Sequence, residues 1–129
     1  MAQVKIYGLR TSLERHRDDL SKAIHSCVTE ALSYPQSKIF HRFIALEKED
    51  FIFPDDRSDS YTIIEISMFE GRSVEAKKSL VRALFTHVEG KCGISPRDLE
   101  ITIFETPKEN WGIRGQCGDE LLLNYKVNI

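Results

Sequence analysis

The stretch Glu70-Gly71-Arg72-Ser73 puts an arginine directly ahead of a residue suited to cap a helix. The dipole and free N–H groups of a helix start already favour an anion, and a guanidinium adds a fork matched to a carboxylate. Arg72 is therefore a candidate carboxylate ligand, with a salt bridge to Glu70 or to the acidic loop at 55–59 as the plainer alternative. Trp111, the sole tryptophan, lies in Asn110-Trp111-Gly112-Ile113-Arg114-Gly115. A large aromatic in a glycine-flanked loop walls a pocket, pins a neighbouring subunit, or anchors the segment that follows. Arg114 in the same loop is a candidate second anion ligand. His41 and Arg42 are neighbours on a predicted strand and so point to opposite faces, with His41 a candidate base.

Other chemistry finds little support. His16, His25 and His87 fall on predicted helices and share no ligand spacing with cysteine or aspartate, so no metal site is expected. The loop Pro54-Asp55-Asp56-Arg57-Ser58-Asp59 lacks the glycine and terminal glutamate of a calcium loop and reads as a solvated segment with internal caps. Glu47 to Asp50 is a solvated charge run. There is no phosphate-binding glycine loop and no serine elbow, so no cofactor is expected. The 129 residues carry a net charge of −2 with both signs interspersed, which argues against nucleic-acid and anionic-membrane partners. No long apolar run or leader pattern is visible, and a cytoplasmic protein is expected. Cys27 and Cys92 fall in predicted helix and read as small core residues, and Cys117 completes an odd set without a disulfide framework.

The elements that must position these residues come in two similar series. Val4, Ile6 and Gly8 alternate with Gln3, Lys5 and Tyr7 in a first, half-buried strand. Thr11 and Glu14 have capping-box spacing ahead of a helix whose apolar stripe runs from Leu20 through Ala23, Ile24, Cys27 and Val28 to Ala31 and Leu32. Tyr34-Pro35 stops that helix, and the strand FHRFIAL follows. The second series opens on the strand YTIIEISMF and a helix capped by Ser73. Leu80, Leu84 and Val88 stand 60 places after Leu20, Ile24 and Val28. Gly90 and Gly93 close this helix, Ser95-Pro96 starts a short turn, and the strand LEITIFE follows. The expected organisation is one domain, with halves at about 1–50 and 60–106 and an extension over 107–129.

Each strand–helix–strand series predicts a parallel pair, and two side by side make a four-stranded mixed sheet with two long helices on one face. Ile44, Ile64 and Ile66 are expected on the uncovered face, which would make self-association its cover. The terminal LLLNYKVNI is expected to pair with a sheet edge.

The runs GRSVEAKKSLVRALF, GISPRDLEI and NWGIRG, within this α+β plan, resemble the tautomerase superfamily, and among it the longer fused chains similar to malonate semialdehyde decarboxylase. The resemblance covers nearly the whole chain. It implies a homotrimer with a site near each amino-terminal strand, acting on a small carboxylate or 2-oxo acid. In that family the base is an amino-terminal proline exposed by methionine removal. Ala2 stands at that position here, and its processed amine could serve acid–base chemistry. The resemblance further implies substrate-binding roles for Arg72, Trp111 and Ile113. The chain departs from the decarboxylase pattern at Glu70, where an arginine is implied, at Lys38, where an acid is implied, and at Ile113, where an aromatic is implied. Keto–enol transfer with Ala2, Arg72 and His41 as catalytic residues is the expected activity. The alternative is a non-catalytic trimer that binds a ligand or a partner.

Overall fold

The computed structural model describes residues 2–121 and 126–127. Strand β1 (Ala2–Leu9) runs directly into helix α1 (Arg10–Leu32), followed by β2 (His41–Leu46), β3 (Thr62–Phe69), helix α2 (Val74–Cys92) and β4 (Leu99–Thr106). The sheet order is β2-β1-β3-β4. β1 pairs parallel with β2 and β3 parallel with β4, while β1 and β3 meet antiparallel at the centre. A small hairpin, β5 (Gly112–Ile113) and β6 (Gln116–Cys117), closes the described part of the extension. The four-stranded mixed sheet and its two helices are those expected.

The pleat decides which residues the helices cover. In β1 the buried set is Ala2, Val4, Ile6 and Gly8, and in β3 it is Thr62, Ile64, Ile66 and Met68. These pack with Leu20, Ile24, Val28, Leu80, Leu84 and Val88 in one core. Ile64 and Ile66 are fully buried there, which corrects their expected place on the open face. A strand has period two, so the side of a whole set turns on one residue of register, and a run as apolar as Ile63-Ile64-Glu65-Ile66 does not declare it. The open face instead carries Tyr7, whose hydroxyl donates to Glu65 at 2.7 Å, and Arg42, which donates to Gln3 at 3.0 Å. Ile44 shares that face, opposite Tyr7, with Phe104 of β4 among its exposed apolar residues.

Two expected helix boundaries also shift. Thr11 does not cap α1: the helix already begins at Arg10, the cap position is Leu9, and no side chain bonds there. Strand and helix join without a loop, and Gly8 permits it, since a β-carbon there would lie 3.0 Å from the Leu13 side chain. Gly90 lies inside α2 rather than closing it, and Gly93, at φ 71°, makes the left-handed cap. Ser73 does cap α2, accepting from the Ala76 N–H. The acidic loop, expected as a solvated segment with internal caps, is tied to the turn before β4: Ser58 N–H donates to Asp98 at 2.8 Å and Arg97 to the Asp56 carbonyl at 3.0 Å, while Phe51, Phe53 and Tyr61 cluster at ring separations of 5.0–5.5 Å. Of LLLNYKVNI, residues 122–125 and 128–129 lie outside the described residues, so its pairing with a sheet edge does too.

Candidate active site

Three chain segments converge on the first residue of β1. A crossover helix runs back along the strand that precedes it, so the end of α1 returns to the level where β1 begins. β3 is antiparallel to β1, so its last residues return there as well, with Met68 directly opposite Ala2. Tyr34 sits just past α1, which ends in a left-handed Ser33, and Arg72 sits just past β3. The result is a cluster the sequence separates widely. The Ala2 N–H donates to the Tyr34 hydroxyl at 3.1 Å, in a buried setting. The Arg72 charge acts on that same phenol.

The local environment is dry. Ala2 is 3% exposed, Tyr34 and Arg72 4% each. One Arg72 guanidinium nitrogen donates to the Phe69 carbonyl at 3.4 Å. Burial pushes the Tyr34 phenol above its ordinary value, with the Ala2 N–H and the Arg72 charge pulling the other way, so it is protonated at neutral pH. Phe69, fully buried, carries the next layer: Trp111 meets its ring edge-on at 5.3 Å, and Ile113 and Val127 pack on the same cluster. Trp111 thus packs on the residue whose carbonyl Arg72 bonds, and shares that cluster with Val127 of the extension.

Tyr34 was visible in the sequence only as part of a helix stop. Its neighbour Pro35 explains why the helix ends, and nothing in the local pattern announces a partner 32 residues away. A tyrosine directly after the helix's apolar stripe is the available signal, because a buried phenol needs a hydrogen-bond partner.

Two expected site residues stand apart from this cluster. His41 faces the helices beside Val4, where its Nδ1 lies 2.8 Å from the Ser21 hydroxyl and its ring meets His25 edge-on at 6.0 Å. Burial, helped by His25, pushes its pKa down to about 4. His25 in turn bonds the Gln36 carbonyl through Nε2 at 2.7 Å. Arg114 occupies the tip of the β5–β6 hairpin, exposed, with φ 51° followed by Gly115 at φ 83°. Two consecutive positive φ angles are those of a tight two-residue hairpin turn.

Other concavities are lined differently. A groove of about 730 Å³ between α1 and α2 is bordered by Asp19, Lys22, His87 and Lys91 and shares no residue with the Ala2 cluster. It is broad and lined by solvated side chains, whereas the cluster combines burial with a cation and a phenol. Among the described residues, Cys117, Asp119 and Glu120 bring three possible metal-ligand atoms together, all exposed. The Glu120 carboxylate raises the Cys117 thiol, which keeps it protonated and a poor ligand.

The sequence pattern of a family described as "Tautomerase enzyme" matches residues 38–114. The chain belongs to the tautomerase family. The matched span contains Arg72, His41, Trp111, Ile113 and Arg114 and begins beyond Ala2 and Tyr34. The tautomerase chain is 25% identical over 97 residues to a probable tautomerase of Bacillus subtilis, covering 71% of this chain and 76% of that one. Over 57 residues it is 37% identical to a 2-hydroxymuconate tautomerase of Comamonas testosteroni, covering 44% and 90% respectively. Among solved structures, malonate semialdehyde decarboxylase superposes with a TM-score of 0.79 at 20% identity, covering 88% of this chain and 92% of the other. A native fused 4-OT gives 0.80 at 17% identity, covering 92% and 98%. At such identities these superpositions establish the shared fold.

Proposed function

We propose that this tautomerase-family chain catalyses keto–enol proton transfer on a small 2-oxo acid or related carboxylate. The observation that carries the reading is the buried Ala2 nitrogen 3.1 Å from Tyr34, with the Arg72 charge beside them. Removal of Met1 would convert the Ala2 nitrogen into a primary α-amine with an ordinary pKa of about 8, and burial lowers it toward neutrality. A neutral amine in that position accepts the proton of an enol hydroxyl. The C–O bond becomes a carbonyl as electron density moves to the adjacent carbon, and the ammonium delivers the proton to that carbon. One O–H bond breaks, one C–H bond forms, and the amine is restored.

Arg72 holds the substrate carboxylate, and the dry surroundings make that charge–charge contact worth more than in water. Trp111 and Ile113, layered on Phe69, keep bulk water away. The amine is a better proton carrier than His41, whose pKa of about 4 makes it a weak base at neutral pH. Self-association as a homotrimer belongs to the same proposal, supported by fused 4-OT relatives of this fold that are described as trimers. The decarboxylase reaction is not part of it, because Glu70 and Lys38 replace the arginine and the acid that the resemblance implies.

The test is ketonisation of phenylenolpyruvate by tag-free protein of verified N-terminal mass, beside Arg72→Ala. Loss of a charge-assisted contact predicts a drop of about 30- to 100-fold in kcat/KM for the variant. No turnover by the wild type, or equal turnover by both, would remove this mechanism and favour a ligand-binding trimer.

A further inference from the structure

The Ala2 nitrogen has a partner whose chemistry can be read without a substrate. We propose that Tyr34 is a positioning residue for the α-amine of the processed chain: its phenol orients the nitrogen and stabilises the ammonium form. The inference rests on the terminal-amine reading above, but its consequences can be measured separately.

Three features carry it. The Tyr34 oxygen lies 3.1 Å from the Ala2 nitrogen, and both residues are buried, so the contact is not shared with bulk water. Tyr34 is held by the left-handed turn after α1, where its own N–H donates to the Thr29 carbonyl at 3.1 Å. Ala2 is held by the sheet, opposite Met68 of β3. The backbone of each residue is therefore anchored, and burial of Tyr34 restricts the ring that carries the hydroxyl.

The chemistry then has a direction. An ammonium donates a charge-assisted hydrogen bond to the phenol oxygen, while a neutral primary amine makes only neutral ones, donating an N–H to that oxygen or accepting the phenol O–H on its lone pair. The hydroxyl thus favours the protonated amine. It opposes desolvation and the Arg72 cation, which both favour the neutral form. Among the described residues, the other charged or titratable groups on packed elements near this end of β1 are Lys38 and His41, before and at the start of β2, Glu70 after β3, and Glu105 of β4, which lies opposite Met68 and pairs with Lys77 of α2 at 2.7 Å. Val4 of β1 bonds the segment before β2 through its N–H to the Phe40 carbonyl at 2.9 Å. His41 is neutral at pH 7, Glu105 is matched by Lys77, and the Arg72 charge acts on the phenol, which supplies a neutral acceptor for the nitrogen. An amine pushed too low by cations and burial could no longer hold the proton it must deliver, and the phenol counters that.

The experiment is competitive acetylation of the α-amine across pH, read from the mass of the amino-terminal peptide, in wild type and Tyr34→Phe. The variant is expected to titrate about one unit lower, because one charge-assisted bond to the ammonium is gone. The acidic limb of kcat/KM should move by the same amount, with the thermal midpoint little changed because the ring stays. An unchanged or raised amine pKa overturns the proposal, and so does quantitative retention of Met1, which leaves an amide at Ala2. If Tyr34→Phe does not fold, growth on ring-fluorinated tyrosine keeps the shape and weakens the oxygen as an acceptor, with the same downward shift expected. A shifted amine in a chain without turnover would leave Tyr34 in this role and reject the tautomerase reaction. Turnover with an unshifted amine would do the reverse.

Discussion

At the residue scale, the surroundings of the two expected proton carriers, the Ala2 nitrogen and His41, treat them differently. The Ala2 nitrogen is paired with a phenol on which the Arg72 charge acts. His41 is packed against α1, with Ser21 and His25 as partners. Its lowered pKa has a consequence for stability. A histidine that is held neutral in the fold gains its proton first in the unfolded chain. Stability is therefore fully present above the ordinary value near 6.5 and falls as pH drops from there to about 4, below which both states are protonated. Because the ring is only partly buried, the effect after allowance for screening is on the order of 1–2 kcal/mol. Urea midpoints measured from pH 7 to pH 4 should fall more steeply for the wild type than for His41→Gln. Parallel pH profiles would mean that the ring titrates normally.

At the element scale, the β5–β6 hairpin and its flanking turns decide whether Trp111 stays on Phe69. Gly118 follows β6, is buried, and donates its N–H to the Trp111 carbonyl at 2.7 Å. A β-carbon there would collide with the Lys108 carbonyl oxygen and stand 3.0 Å from the Phe69 ring. Backbone on one side and a fully buried ring on the other leave little room to yield. Gly118→Ala is expected to cost about 1–3 kcal/mol, the usual penalty for overpacking, and to lift the hairpin. Since Trp111 is the sole tryptophan, its fluorescence reports that movement directly, as a red shift toward solvent. An unshifted spectrum with unchanged stability would show that the hairpin adjusts without leaving Phe69. The same geometry joins the extension to the site, because Trp111 contacts Phe69 and Phe69 offers the carbonyl that Arg72 bonds.

At the scale of the whole molecule, the described helices cover one face of the sheet and, among the described residues, leave the other bare. That bare face is neither strongly apolar nor freely hydrated. Tyr7 and Lys5 converge on Glu65, Arg42 on Gln3, and Tyr61 on Glu100, with Ile44 and Phe104 among them. Such a mixture resembles a subunit contact more than a core cut open, since polar groups already hold partners and apolar ones remain for a neighbour. Ile52, 91% exposed on the loop before β3, adds an apolar side chain to the surface. The proposed trimer predicts a solution mass about three times the 14.9 kDa chain by light scattering. A monomer at working concentrations would reject it. No described helix is long and apolar enough to cross a membrane.

Which elements form was decided locally, and so was largely legible from residue order. Alternation marked β1, a β-rich run marked β3, an apolar stripe at three- and four-residue spacing marked α1, and the Ser73 cap with Leu80, Leu84 and Val88 marked α2. Ser73 capped α2, and Gly93 closed it, because these depend on neighbours within a few residues. Boundaries without a local signal were lost: α1 begins at Arg10 because Gly8 lets a strand turn directly into a helix against Leu13. The face on which Ile64 and Ile66 lie was likewise decided by register across the sheet. The site itself belongs to tertiary structure. Arg72 announced itself by chemistry, but the contact of Ala2 with Tyr34 exists only because a crossover helix and an antiparallel strand both return the chain to where it began. Local preference extends over a turn or a few residues, and the convergence of residues 2, 34 and 72 is set by the packing of whole elements.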